Sequence, residues 1–320
     1  RLKLNLDEQI PIVYGPVPSR RLGRSLGINS IPPKWCTYNC VYCQIGRTNK
    51  VRVSRNAYYQ TDLIFKAVGK KLKGLGEQNE SVDYLAFVPD GEPTLDINLG
   101  RHIKSLKKYN IPIAVITNSS LINISCVQED LMAADWISVK IDAISDTIWN
   151  KINRPNGSLE LDKILAGLLR FRKKYKGKLT SETMLIKDFN DSESEARKLS
   201  HFLNCLNPDI AYLSVPTRPP AEKDIQPAEP DALNRFWQII SAEVKNAELL
   251  TGYEGNAFSS TGDLRKDILS ITSVHPMRQD AINRMLHNYG EGQQLINQMI
   301  KNKELVKSFY EDHTFYLRKF

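Results

Sequence analysis

The chain has 320 residues, 41% hydrophobic and 25% charged, with a formal net charge of +8; at about 150 residues per domain it can build one large domain and a small one. No apolar run approaches the roughly 20 residues that a membrane span needs, and the first residues, Arg1-Leu2-Lys3-Leu4-Asn5-Leu6-Asp7, form no apolar signal core, so no membrane-spanning helix is expected and secretion is not indicated. The positive balance suits a polyanionic partner such as RNA, although much of it lies in runs such as Lys70-Lys71-Leu72-Lys73 and Arg170-Phe171-Arg172-Lys173-Lys174, which read as solvated helix faces.

Residues 12–24 are rich in Gly and Pro, lack a helical period and predict an extended approach. Arg20, Arg21 and Arg24 within it are candidates for an anionic contact and equally for salt bridges. A first strand at 25–29 leads through Ile31-Pro32-Pro33-Lys34 into Trp35-Cys36-Thr37-Tyr38-Asn39-Cys40-Val41-Tyr42-Cys43, where three of the five cysteines fall as C-x3-C-x2-C. This spacing reads as a metal site. Zinc is the first alternative, but a structural zinc takes four protein ligands, and no His, Asp or Glu lies within fifteen residues on either side. Three thiolates with a missing fourth ligand suit iron and sulfur better. Cys126 and Cys205 sit in amphipathic, helix-like stretches and read as lone buried thiols, which points to a reducing, cytoplasmic setting.

Strand-like and helix-like segments then alternate. Helices are expected at 61–73 (stopped by Gly74 and Gly76), 97–108, 125–133, 145–152, 159–175 and 192–205, and strands at 84–88, 113–116, 136–141, 179–186 and 210–215. With the strand at 25–29 these make a six-stranded parallel α/β sheet. Polar segments follow the strands: Asp90-Gly91-Glu92-Pro93-Thr94, Thr117-Asn118-Ser119-Ser120, and Pro216-Thr217-Arg218-Pro219-Pro220. The two-residue period places Ser138, Lys140 and Asp142 on one face of the fourth strand and Glu182 with Met184 on one face of the fifth; Lys140 and Asp142 can also pair with each other. Asn190-Asp191 is expected to cap the next helix. After Gly252-Tyr253-Glu254-Gly255 the pattern changes to helices at 263–272, 276–288 (Pro276 at its start) and 291–302, then two short strands around Glu311-Asp312-His313. This order resembles a winged helix. Residues 264–320 carry nine Lys or Arg against six Asp or Glu, without base-reading side chains on the third helix, so a docking or lid role is preferred over sequence-specific DNA reading. His275 and Arg278 either cap a helix or face the sheet.

The cysteine spacing, with Tyr42 directly before Cys43, resembles the radical S-adenosylmethionine (SAM) superfamily, and the run from Gly15-Pro16-Val17-Pro18-Ser19-Arg20-Arg21 to Tyr42-Cys43-Gln44 is similar to a group of Fe–S oxidoreductases akin to the radical enzyme of tRNA wybutosine synthesis. The resemblance implies a partial (β/α)6, TIM-like barrel over 1–255, a winged-helix-like domain over 256–320, and a site at the C-terminal ends of the strands. It implies that Cys36, Cys40 and Cys43 hold a 4Fe–4S cluster whose open iron binds SAM, and that an external reductant such as flavodoxin or ferredoxin supplies the electron that yields a 5′-deoxyadenosyl radical. Gly91 and Glu92 are similar to the family's Gly-Gly-Glu-Pro element, with Asp90 in place of the first Gly. Thr117 and Asn118 resemble its Thr-Asn-Gly, with Ser119 in place of Gly, and either meet SAM or cap a turn. Tyr42, Ser138, Lys140, Asp142, Glu182 and Arg218 complete the candidate cofactor contacts. A bulky substrate is expected, a tRNA nucleoside ahead of a protein or peptide; the alternatives are a glycyl-radical activase or peptide-modifying enzyme, and a cluster-bearing redox regulator that binds DNA.

Overall fold

The computed structural model describes residues 11–48, 50–251, 263–272 and 275–319. The N-terminal run Arg1 to Asp7 and the expected domain boundary at Gly252-Tyr253-Glu254-Gly255 lie outside them. The chain opens with β1 (Val13–Ser19) and β2 (Gly23–Ile28), and β3 (Trp35–Cys36) and β4 (Lys50–Val51) bracket the cysteine loop. Then come α1 (Thr61–Glu77), β5 (Tyr84–Phe87), α2 (Leu99–Leu106), β6 (Ile113–Thr117), α3 (Ser125–Leu131), β7 (Trp136–Lys140), α4 (Asp146–Asn153) and α5 (Leu161–Lys174). The alternation ends with β8 (Lys178–Met184), α6 (Glu193–Leu206), β9 (Ile210–Ser214), α7 (Pro230–Glu243) and β10 (Ala247–Leu250). The main sheet has the order β1-β2-β5-β6-β7-β8-β9-β10. Every neighbouring pair from β2 to β10 is parallel, and β1 adds an antiparallel edge. It is the open, parallel-rich α/β sheet expected of a partial barrel.

All six expected strands are present, with two more at the edges. The Gly/Pro-rich approach is the strand β1, held by pairing with β2 from Val13↔Ile28 to Ser19↔Gly23 across an irregularity between Tyr14 and Val17. The segment containing α7 and β10 was not anticipated. Helix α1 also runs through Gly74 and Gly76, because Leu75 between them is buried at 1% exposure while both glycines face open space. That anchoring outweighs the roughly 1 kcal/mol helix penalty of each glycine.

Side-chain alternation sorts the sheet into two faces. Ile137, Val139 and Ile141 join the large core against the helices, whereas Trp136 packs on the opposite face with Ala86, Ala114 and Tyr212. Leu22, from the turn between β1 and β2, enters that second cluster at 3% exposure. The lumen is thus plugged near the strand starts, and its polar residues are left toward the strand ends.

The C-terminal segment holds α8 (Leu264–Thr272), β11 (Met277–Arg278), α9 (Gln279–Tyr289), α10 (Gln294–Lys301), β12 (Leu305–Tyr310) and β13 (His313–Arg318), with an antiparallel sheet ordered β11-β13-β12. Pro276 precedes the short strand β11 instead of opening a helix, since Met277 and Arg278 pair with Tyr316 and Phe315. The segment has its own apolar core, which Tyr14 and Val17 of β1 join. Among the described residues no helix is long and apolar enough to cross a membrane.

Candidate functional site

The cysteine loop lies against the C-terminal end of α4: Asn39 N donates to Asn153 O at 3.0 Å and Val41 N to Ile152 O at 2.9 Å. Within it, Cys43 N donates to Cys40 O and Gly46 N to Cys43 O, both at 3.1 Å. All three thiols are free and half-buried. Burial pushes each of them up, Cys40 to about 12, and neighbouring cysteines raise Cys36 and Cys40 further. They are thiols at neutral pH, so a metal that takes them as thiolates must displace their protons. Among the described residues no three His, Cys, Asp or Glu side chains converge as around a single metal ion. Three thiols in one loop fall one ligand short of a closed zinc site and suit an iron–sulfur group.

Gly91 adopts φ +149°, and a Cβ on it would lie 2.0 Å from the carbonyl oxygen of Trp35. Its role is to let the loop strand β3 dock on the end of β5, which Glu92 N seals by donating to Trp35 O at 3.0 Å. Asp90, the departure from the family pattern, pairs with Lys34 at 3.3 Å, and Lys34 also donates to the carbonyl of Ile45 just past Cys43.

Glu92 is 1% exposed and braces two strand ends. Its Oε1 accepts from Thr94 N (3.0 Å), Thr94 Oγ1 (2.6 Å) and Thr117 Oγ1 (2.6 Å), and its Oε2 accepts from Asn118 N (2.7 Å). Burial still moves its carboxyl above the usual range, against these donors. Thr117 Oγ1 in turn accepts from Ser119 N at 3.0 Å, within the turn that follows β6. Ser119 has φ +67°, the left-handed conformation that favours glycine, which explains why the family pattern carries Gly there. Asn118 reaches the loop: its Nδ2 donates to Thr37 Oγ1 at 2.7 Å and to Cys36 Sγ at 3.4 Å. Ser120 Oγ also donates to Thr37 Oγ1, at 2.6 Å.

Across the lumen, Ser138, Lys140 and Glu182 share the expected face. Lys140 Nζ lies 3.1 Å from Glu182 Oε1 and 3.8 Å from Asp142 Oδ1, with the Tyr42 ring centroid 5.0 Å away. Burial, and Arg21 nearby, pull the Lys140 ammonium below its ordinary value. Glu182 also accepts from Ser214 Oγ at 3.0 Å and from Arg21, which rises from the β1–β2 turn. The Ser138 hydroxyl, 1% exposed, has no hydrogen-bond partner among the described residues. Buried polar atoms are normally satisfied, so this one fits a ligand group entering the lumen. Asp142 accepts from Tyr42 Oη, Asn153 Nδ2 (2.8 Å) and Met184 N (2.9 Å).

Arg218 lies apart from the Lys140–Glu182 group. It is 7% exposed, donates to Gln44 Oε1 at 2.6 Å and lies 3.1 Å from His275 Nε2, thereby joining the cysteine loop to the C-terminal segment. His275 consequently faces the sheet, whereas Arg278 pairs with Asp280 on α9. Asn190 does not cap α6; its amide ties Ile186 N, Asp142 O and Met184 O together, and Ser192 accepts from Glu195 N as the cap at 3.3 Å. Cys126 and Cys205 are exposed rather than buried. Arg24 pairs with Glu80. Sequence reasoning missed Thr37, Asn153 and Ser214 and left Arg21 undecided, because each acts through a partner distant in sequence.

A model of the radical SAM superfamily matches residues 30–199. The chain is 45% identical over 309 residues to the UPF0026 protein MJ1312 of Methanocaldococcus jannaschii, covering 96% of each chain. It is 32% identical over 301 residues to a Brachyspira hyodysenteriae protein named GTPase Obg, spanning 92% of this chain and 42% of that protein. A probable dual-specificity RNA methyltransferase, RlmN, of Endomicrobium trichonymphae is 24% identical over 217 residues, 64% of this chain and 59% of that one. Among solved structures, TYW1 with a lysine–pyruvate adduct superposes with a TM-score of 0.54 at 18% identity, over 69% of this chain and 74% of that one. A radical SAM methyltransferase from Sphaerobacter thermophilus gives 0.53 at 18%, over 71% and 66%. Both likenesses concern the fold. Radical SAM enzymes use a 4Fe–4S cluster and S-adenosylmethionine and need an external reductant. The chain belongs to the radical SAM superfamily and, within it, to the UPF0026 proteins.

Proposed function

We propose that this radical SAM enzyme acts on a bulky substrate, with an RNA nucleoside, first of all in tRNA, as the preferred class. The observation that carries the reading is the loop of Cys36, Cys40 and Cys43 anchored by Asn118 and Asn153 at the ends of parallel strands, beside a lumen that holds an unpartnered Ser138 hydroxyl. In this reading the three thiolates hold the cluster, which, when bound, supplies the electron that cleaves SAM to a 5′-deoxyadenosyl radical for hydrogen abstraction. Ser138 and the Lys140–Glu182 pair bind and orient the ligand in the lumen. Glu92 and Thr117 hold the strand ends in place, and Glu92 Oε2, with a single protein donor, is the carboxylate oxygen left for the SAM ammonium. Tyr42 and Asp142 tie the loop to the lumen wall, and Arg218 holds Gln44 beside the third cysteine.

An RNA substrate is supported by the net charge of +8, the probable RNA methyltransferase among the relatives, and a C-terminal segment whose helix-strand-helix-helix-strand-strand order resembles a winged helix. We assign that segment, from about residue 256, to substrate docking. The test is to incubate the anaerobically reconstituted, reduced enzyme with SAM and bulk tRNA and to analyse the digested nucleosides by mass. A new nucleoside mass, with tRNA retention that weakens as salt rises, is the expected result. An unchanged tRNA with a modified peptide or protein would assign the substrate to that class, and tight DNA binding without SAM cleavage would make the protein a redox regulator.

A further inference from the structure

The hydrogen bonds to the three cysteine sulfurs differ in origin. Cys43 is approached by the backbone N–H groups of Ile45 and Gly46, and Cys36 by the backbone of Tyr38 together with Asn118 Nδ2 at 3.4 Å. Cys40 is approached by a side-chain amide, Asn153 Nδ2 at 3.4 Å, while the single proton of the Tyr42 hydroxyl goes to Asp142. Asn153 is the last residue of α4 and is 2% exposed. Its amide nitrogen carries two N–H bonds and has two acceptors in reach, Asp142 Oδ2 at 2.8 Å and Cys40 Sγ at 3.4 Å. Its own carbonyl accepts from Asn39 N, so the donor is fixed by the segment that it supports.

Hydrogen bonds to thiolate ligands withdraw charge from an iron–sulfur centre and favour its reduced form. We infer that Asn153 is a positioning residue that raises the reduction potential of the cluster through its N–H···S bond to Cys40, with Asn118 as the counterpart on Cys36. The inference rests on the proposed cluster ligation. Asp142 contributes by holding the amide plane: one N–H is taken by its carboxylate, and the second is thereby directed at the sulfur. This contribution is independent of SAM and substrate, because neither acceptor belongs to a ligand.

The experiment is a redox titration of the reconstituted cluster, without SAM, followed by electron paramagnetic resonance in wild type, Asn153→Leu and Asn153→Ser. Leu removes both N–H bonds at similar side-chain size, and Ser leaves a hydroxyl too short to reach either Asp142 or Cys40 from the position of the amide nitrogen. In both variants the reduced-to-oxidised ratio at fixed potential is expected to fall about tenfold, equivalent to about 59 mV for a one-electron couple. A residue with only a structural role would lower cluster content and leave the potential of the occupied fraction unmoved, and that result would overturn the inference. A measurement on wild type covers the case in which neither variant holds iron. In holoprotein labelled with side-chain 15N-asparagine, pulsed resonance is expected to show two weak 15N couplings to the reduced cluster, one from Asn153 and one from Asn118, and fewer than two overturns the assignment. Should wild type itself assemble no cluster, the ligation reading fails, and the two failures are thereby told apart.

Discussion

Replacing Glu92 with Ala tests whether this carboxylate fastens the strand ends to the cysteine loop. In the folded chain it accepts from two hydroxyls and from the backbone N–H groups of Thr94 and Asn118. On truncation the hydroxyls can rotate to other acceptors, but the two backbone donors cannot. Each buried unsatisfied donor costs about 1–3 kcal/mol. Against this stands relief from burying a carboxylate, since burial outweighs its hydrogen bonds and raises its pKa. The balance is a destabilisation of about 2–4 kcal/mol, a large share of the roughly 5–15 kcal/mol that holds a protein folded. Glu92→Gln keeps the shape but turns an NH2 toward at least one existing donor, at about 1–3 kcal/mol. Urea unfolding of the metal-free protein, followed by circular dichroism, gives the shift in midpoint at unchanged slope. An Ala variant within about 0.5 kcal/mol of wild type, which is the scatter of ordinary surface substitutions, would refute the bracing role.

Two further predictions concern the lumen plug and the pair beneath the loop. Leu22→Ala opens a cavity beside Trp136 and Tyr212 and is expected to cost about 2–5 kcal/mol, visible as a lowered thermal midpoint; an unchanged midpoint would mean that the β1–β2 turn does not close the sheet. Asp90 is raised from its ordinary 3.8 to about 6 by burial, despite Lys34. Its folded-state pKa exceeds its unfolded value, so its contribution to stability is fully present below about pH 3.8 and is lost as pH rises through about 6. Asp90→Asn should remove that component, up to about 3 kcal/mol, from urea midpoints measured between pH 4 and 7. Parallel pH profiles for variant and wild type would contradict it.

The legible part of this protein was what repeats or clusters locally. Six strands announced themselves by short apolar runs, and the two-residue period on β7 and β8 brought Ser138, Lys140 and Glu182 to one face. Three cysteines in one loop were enough to name the chemistry. Helix α7 was missed because its buried face amounts to Phe236 and Ile240, too thin a stripe to stand out, and β10 follows it with a mixed pattern whose strand character comes from pairing with β9. β1 was hidden by its Gly and Pro residues, which an antiparallel edge strand tolerates.

The site shows the same division. Residue types point to Thr117, Asp142 and Arg218 as cofactor contacts, and the fold adds protein partners to each: Thr117 meets Glu92 and Ser119, Asp142 meets Tyr42 and Asn153, and Arg218 meets Gln44 and His275. Most of these pairings join residues far apart in sequence, 174 positions in the case of Gln44 and Arg218, and no local pattern encodes those. Asn153 shows the converse, an ordinary helix-end residue in sequence that becomes a sulfur contact only when α4 lies under the loop.

The central claim is that Cys36, Cys40 and Cys43 hold a cluster that cleaves SAM. Its most direct test is anaerobic reconstitution of wild type and of Cys40→Ala, reduction with dithionite in the presence of SAM, and quantification of 5′-deoxyadenosine. Wild type is expected to form the nucleoside, and Cys40→Ala to lose both the cluster absorbance and the product. A full cluster in the variant, or a full cluster in wild type without any 5′-deoxyadenosine, would contradict the account.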